Sequence, residues 1–176
     1  LELAALVTGL ARLDANNVQG FLLSPFCGLD SISLRRLKRQ LRNEELAGLS
    51  PNETAKSSDQ LLIEIFDIEH SLETLRGTEA GKVRRFLKSF HIAKQIADDP
   101  EKTIEDLLWQ LWNASGLQQT WGELSRGNSE ISVQVNRNLD AIVSLFDAPN
   151  RFVERNPDKD KRVFLQNQLN QRRPED

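Results

Sequence analysis

An all-α fold, a single domain of about eight helices packed around a tryptophan-rich αα-corner, is what three features of the sequence predict. All three tryptophans, Trp109, Trp112 and Trp121, fall within thirteen residues. Apolar residues recur at three- and four-residue spacing along most of the chain, and no stretch alternates as a strand does. In the corner, Ile104, Leu107, Leu108, Leu111 and Trp112 form one helical stripe, which Trp109 widens to almost half the surface. Thr103 with Asp106 makes a short-armed capping box, and Gly116 stops the helix at positive φ. A second stripe then begins with Leu117, Trp121 and Leu124. The three indoles and Gly116 are expected to form the structural core.

The other elements follow in order. Leu3, Leu6, Val7, Leu10 and Leu13 predict a first helix; Asp14 caps a short second one carrying Val18, Phe21, Leu22 and Leu23, ended by Ser24-Pro25. Phe26-Cys27-Gly28 reads as a turn, and Asp30 as the N-cap of a helix from Ser31 to about Leu46, with Leu34, Leu37 and Leu41 inward. Residues 47–59 read as the longest loop. Leu61, Leu62, Ile65, Phe66 and Ile68 predict the next helix, and residues 77–99 a long one that Pro100 closes. After the corner, 125–129 is a polar break. Ile131, Val135, Leu139, Ile142 and Phe146 then mark a long helix, expected to break or kink before Pro149 because an interior proline costs about 3 kcal/mol. A turn at 156–160, a last helix over 162–171 and a fraying tail complete the chain.

Length and composition bound the class. At 176 residues the chain can bury roughly two thirds of its unfolded surface. It is 39% hydrophobic and 28% charged, with no apolar run of membrane-spanning length and no signal-peptide pattern at its start. The lone Cys27 excludes an internal disulfide and suits a reducing cytoplasm. The lack of methionine and tyrosine, with Leu1 first, reads as a piece excised from a longer protein.

No phosphate-binding loop, dinucleotide fingerprint, serine-nucleophile motif or zinc-protease motif occurs, so the chain by itself is expected to hydrolyse nothing. Asp67, Glu69 and His70 lack a second histidine at ligand spacing, and no metal site is expected. The net charge of −3 confines nucleic-acid binding to local patches. Two exist: Arg35, Arg36, Lys38, Arg39 and Arg42, five cations in eight residues with Arg35, Arg39 and Arg42 on one face, and then Lys82, Arg84, Arg85 and Lys88. Like charges at this spacing repel unless an anionic partner compensates, which makes both patches candidates for phosphate contact. The competing expectation is a solvated basic face paired with neighbouring acids. A DNA-reading helix-turn-helix at the corner is excluded, since the helix after Gly116 offers only Arg126 as a cation.

Four blocks carry a resemblance: Leu22-Leu-Ser-Pro-Phe-Cys-Gly-Leu-Asp30, Leu34-Arg-Arg-Leu-Lys-Arg-Gln-Leu-Arg42, the tryptophan corner, and Asn136-Arg-Asn-Leu-Asp-Ala-Ile-Val-Ser-Leu-Phe-Asp-Ala148. Their wording and order resemble the helical 2B-type region of actinobacterial UvrD/RecB-like superfamily 1 helicases, the AdnAB helicase-nuclease included. Pro149, where that family is expected to continue a helix, and Phe26-Cys27, in place of smaller residues, depart from the pattern. The resemblance implies an accessory module of an ATP-dependent 3′-to-5′ DNA helicase acting in repair or recombination. It would guide duplex DNA by sequence-independent phosphate contacts, while ATP and Mg belong to the motor outside this chain. The implied partners are DNA, the rest of the helicase and a second subunit. The alternative is a module whose basic helices dock on protein and never touch DNA. Docking predicts exposed apolar residues beside the cations; a phosphate track predicts a polar patch.

Overall fold

The computed structural model describes residues 1–66, 75–77, 79–127, 129–156 and 160–171. Among them the chain is all-helical, with nine helices and no strand. These are α1 (Glu2–Val7), α2 (Ala15–Leu23), α3 (Ser31–Gly48), α4 (Ser58–Glu64), α5 (Ala80–Asp98), α6 (Ile104–Ser115), α7 (Leu117–Leu124), α8 (Glu130–Arg155) and α9 (Lys161–Gln171). The metal reading of Asp67, Glu69 and His70, the turn at 157–159 and the tail at 172–176 lie outside the described residues. Contacts divide the chain into two compact units, 12–88 and 1–11 with 89–176.

The unit 12–88 has its own core. Polar side chains define where its helices start: the Asp14 carboxylate accepts from the N–H groups of Asn16 (2.8 Å) and Asn17 (2.9 Å), and Asn17 Oδ1 accepts from Asp14 N–H in return. Asp30 accepts from Ser33 N–H at 2.7 Å, and Ser57 and Gln60 form a reciprocal box. Between α2 and α3 the chain turns through Gly28 at φ +74°, where the N–H groups of Cys27 and Gly28 both reach the Ser24 carbonyl. Helix α4 packs on α2 and α3, and α2 on α3. Val18, Leu22, Leu34, Leu37, Leu41, Leu61 and Leu62 fill the space between them, and Phe66 meets Phe86 edge-on at 5.9 Å.

The unit built from 1–11 and 89–176 contains the tryptophan corner. The expected box forms: Thr103 Oγ1 accepts from Asp106 N–H and Asp106 accepts from Thr103 N–H. Gly116 stands at φ +68°, and Ser115 Oγ ties the bend by donating to the Trp112 carbonyl and accepting from Leu117 N–H. Trp112 is buried and meets Trp121 at 5.7 Å. Helix α8 packs on both α6 and α7, while α1, α6 and α9 contact one another.

Three expectations are corrected. The first helix ends at Val7 and does not reach Leu10 or Leu13: the Thr8 hydroxyl turns back onto the Ala4 and Ala5 carbonyls, and Gly9 takes φ +76°. Trp109 is 52% exposed, because it lies beyond the stripe that Ile104, Leu107, Leu108, Leu111 and Trp112 bury; its cover is an edge-on contact with Phe146 at 5.4 Å. Helix α8 does not break at Pro149 but continues to Arg155. The proline ring is fully buried, and Phe146 and Phe152 on either side of it hold Trp109 and Phe164, so tertiary packing offsets the lost hydrogen bond.

The start of α9 secures the helix ends around it. The Lys161 ammonium is buried and donates to the carbonyls of Ile96 (3.1 Å), Asp99 (2.5 Å) and Lys102 (2.9 Å), satisfying acceptors at the end of α5 and in the turn that follows it. Arg162 Nε donates to the Thr8 carbonyl just beyond α1 at 2.9 Å. Replacing Lys161 by Met is expected to cost about 2 kcal/mol in urea unfolding, since three carbonyls each lose a hydrogen bond to the ammonium; Lys102→Met, at an exposed side chain, should stay within about 0.5 kcal/mol. Gly116→Ala is expected to cost about 1–2 kcal/mol by the same measurement through backbone strain alone. A Cβ there meets nothing within 4 Å.

Candidate functional site

The two basic patches lie on α3 and on the first part of α5, both within the unit 12–88. Asp30 positions α3: its carboxylate is held below the ordinary 3.8 by the Ser33 N–H it accepts, with the Ser33 hydroxyl adding to the effect. A carboxylate depressed in the folded state contributes stability above its unfolded value and loses it as pH falls through the folded one. The melting-temperature gap between the wild type and Asp30→Ala is therefore expected to hold from pH 7 down to about 4 and to close below that, as followed by circular dichroism.

The structure sorts the candidate cations. Arg36 pairs with Glu79 at 3.5 Å and Lys38 with Asp59 at 2.8 Å. Arg42 donates to the Lys56 carbonyl, and Lys82 to the Gly28 carbonyl at 2.8 Å. Part of the basic surface thus serves the fold itself, and exposed pairs of this kind contribute little stability. Arg35, Arg39, Arg84 and Lys88 are exposed and form no ion pair among the described residues. Arg85 is exposed too, and with Lys82 it acts electrostatically on Cys27.

The two helices differ in what lies beside the free cations. On α5 the exposed positions around Arg84 and Lys88 are polar, and no large apolar side chain of this helix is exposed. On α3, Ile32 is 60% and Leu46 53% exposed, and both share the stripe of Arg35 and Arg39. Residue spacing alone carried that signal: positions 32, 35, 39, 42 and 46 alternate steps of three and four, a second helical stripe opposite Leu34, Leu37 and Leu41.

Burial pushes the Cys27 thiol up to about 11 against the pull of Arg85 and Lys82, so it stays protonated at neutral pH and is a poor nucleophile. A cleft of about 500 Å³ runs past the end of α5, lined by Asp98, Asp99, Lys161 and Arg162 among others. Its buried ammonium is already engaged by the three carbonyls. Desolvation draws Lys161 below its usual pKa while Asp160 and Asp99 oppose this. No group of three or more His, Cys, Asp or Glu able to hold a metal occurs among the described residues, and no described helix is long and apolar enough to cross a membrane. No family model and no curated protein matches the chain.

Proposed function

We propose that the chain is a non-catalytic helical accessory module of an ATP-dependent 3′-to-5′ DNA helicase of the UvrD/RecB type, acting in DNA repair or recombination in the cytoplasm. It guides duplex DNA by contacts to phosphates, without reading bases. ATP and Mg are handled by the motor, and the module works with that motor and a second subunit. Four blocks of family-like wording support the reading. The observation that carries it is the polar face of α5, where Arg84 and Lys88 stand one turn apart, exposed and without a carboxylate partner among the described residues.

Phosphate contacts release counterions, so each one lost flattens the dependence of log affinity on log salt by about 0.9. Fluorescence titration of forked DNA at several salt concentrations is expected to show binding at low salt, with a slope about 2 units shallower for Arg84→Ala/Lys88→Ala. No binding at low salt, or an unchanged slope in the variant, would remove the phosphate role.

Docking on the motor or on a partner subunit is the second reading, and it is favoured at α3. The exposed Ile32 and Leu46 beside Arg35 and Arg39 are a poor match for a sugar-phosphate backbone and a good one for a protein surface. The two helices then divide the work: α5 meets DNA and α3 meets protein.

A further inference from the structure

The outer stripe of α3 presents Ile32, Arg35, Arg39 and Leu46 in that order, with Arg42 at its edge drawn toward the Lys56 carbonyl. From Ile32 to Leu46 is fourteen residues, a rise of about 21 Å. The apolar residues are at the ends and the unpaired arginines between them. Among the described residues, carboxylates of the same unit reach only the flanks, Glu79 at Arg36 and Asp59 at Lys38, while Glu44 on α3 accepts from Gln40 and Glu45 from Lys56 N–H. No carboxylate of the described residues forms an ion pair with the middle of the stripe.

That order discriminates between classes of partner. A phosphate backbone engages the arginines but leaves Ile32 and Leu46 uncovered. A wholly apolar surface covers the ends but strips water from two unpaired guanidinium groups, a cost that burial of two aliphatic side chains does not offset. A helix with carboxylates bracketed by apolar residues at three- and four-residue spacing satisfies both, because guanidinium groups take carboxylates in a two-pronged geometry while the ends bury apolar surface. We infer that the outer stripe of α3 is a docking surface for an acidic amphipathic helix of a partner protein, with carboxylates on Arg35 and Arg39 and apolar side chains on Ile32 and Leu46. The inference rests on the docking reading of α3 and is independent of the phosphate contacts proposed for α5.

The test uses the full chain and two fluorescein-labelled helical peptides of about three heptads with the same composition. In one, Leu and Glu are placed to match the stripe; in the other the same residues are scrambled. The matched peptide is expected to bind at least about tenfold more tightly in fluorescence anisotropy. Arg35→Glu/Arg39→Glu should weaken it about tenfold and regain affinity for a peptide with Lys in place of Glu. Ile32→Ser/Leu46→Ser should weaken it roughly fivefold. All four side chains are exposed, so circular dichroism is expected to show unchanged helix content in both variants. Equal binding of the two peptides overturns the inference. So does indifference to Ile32→Ser/Leu46→Ser together with loss of forked-DNA binding in Arg35→Glu/Arg39→Glu, which would make α3 a nucleic-acid surface. Neither result bears on Arg84 and Lys88, whose part is read separately from the salt slope.

Discussion

Every helix leaves backbone N–H groups at its start and carbonyls at its end without partners inside the helix, and a short chain cut into many helices multiplies that problem. How this protein satisfies those groups governs most of its structure. Starts are served locally, by Asp14, Asp30, Ser57, Thr103 and Ser129. Ends are served by glycines at positive φ after Val7 and Ser115, and by two neighbouring side chains at the start of α9. Lys161 gathers three carbonyls at and beyond the end of α5, and Arg162 takes one beyond α1. The last described helix therefore holds segments 59 residues or more earlier in the chain, and it does so through hydrogen bonds as well as through Phe164 and Leu165 in the core.

This division explains what could be read from residues alone. Asp14, Asp30, Thr103 with Asp106, and Gly116 act on groups within a few positions of themselves, so spacing suffices to foresee them. The inward stripe of α3 is equally local. Pro149 is different: its effect on the backbone is local and unfavourable, but the burial that offsets it comes from the tertiary fold. The exposure of Trp109 depends in the same way on how little of its ring Phe146 covers. Lys161 gave no warning at all, since a lysine next to Asp160 and Arg162 reads as surface until the carbonyls it meets are known.

The basic patches show a subtler limit. Charge density in the sequence does not separate Arg36 and Lys38, which pair with acids of their own unit, from Arg35 and Arg39, which form no ion pair among the described residues. Ile32 and Leu46 were legible by period, but a stripe judged by its cations conceals its apolar ends. The tryptophan corner is a comparable case. Its capping box and its turn at Gly116 form as their residues suggest, though Trp109 stays half exposed, and the unit 12–88 fills its own interior with aliphatic side chains and a phenylalanine pair.

Pro149 also has a mechanical meaning. It removes one rung from the ladder of the longest described helix, leaving the Leu145 carbonyl without its intrahelical donor. Above and below that gap the rod is gripped by rings, Trp109 on Phe146 and Phe164 on Phe152. Stiffness at this point is therefore borrowed from the neighbours, so a bend in α8 would begin where side chains, and not the peptide backbone, carry the strain.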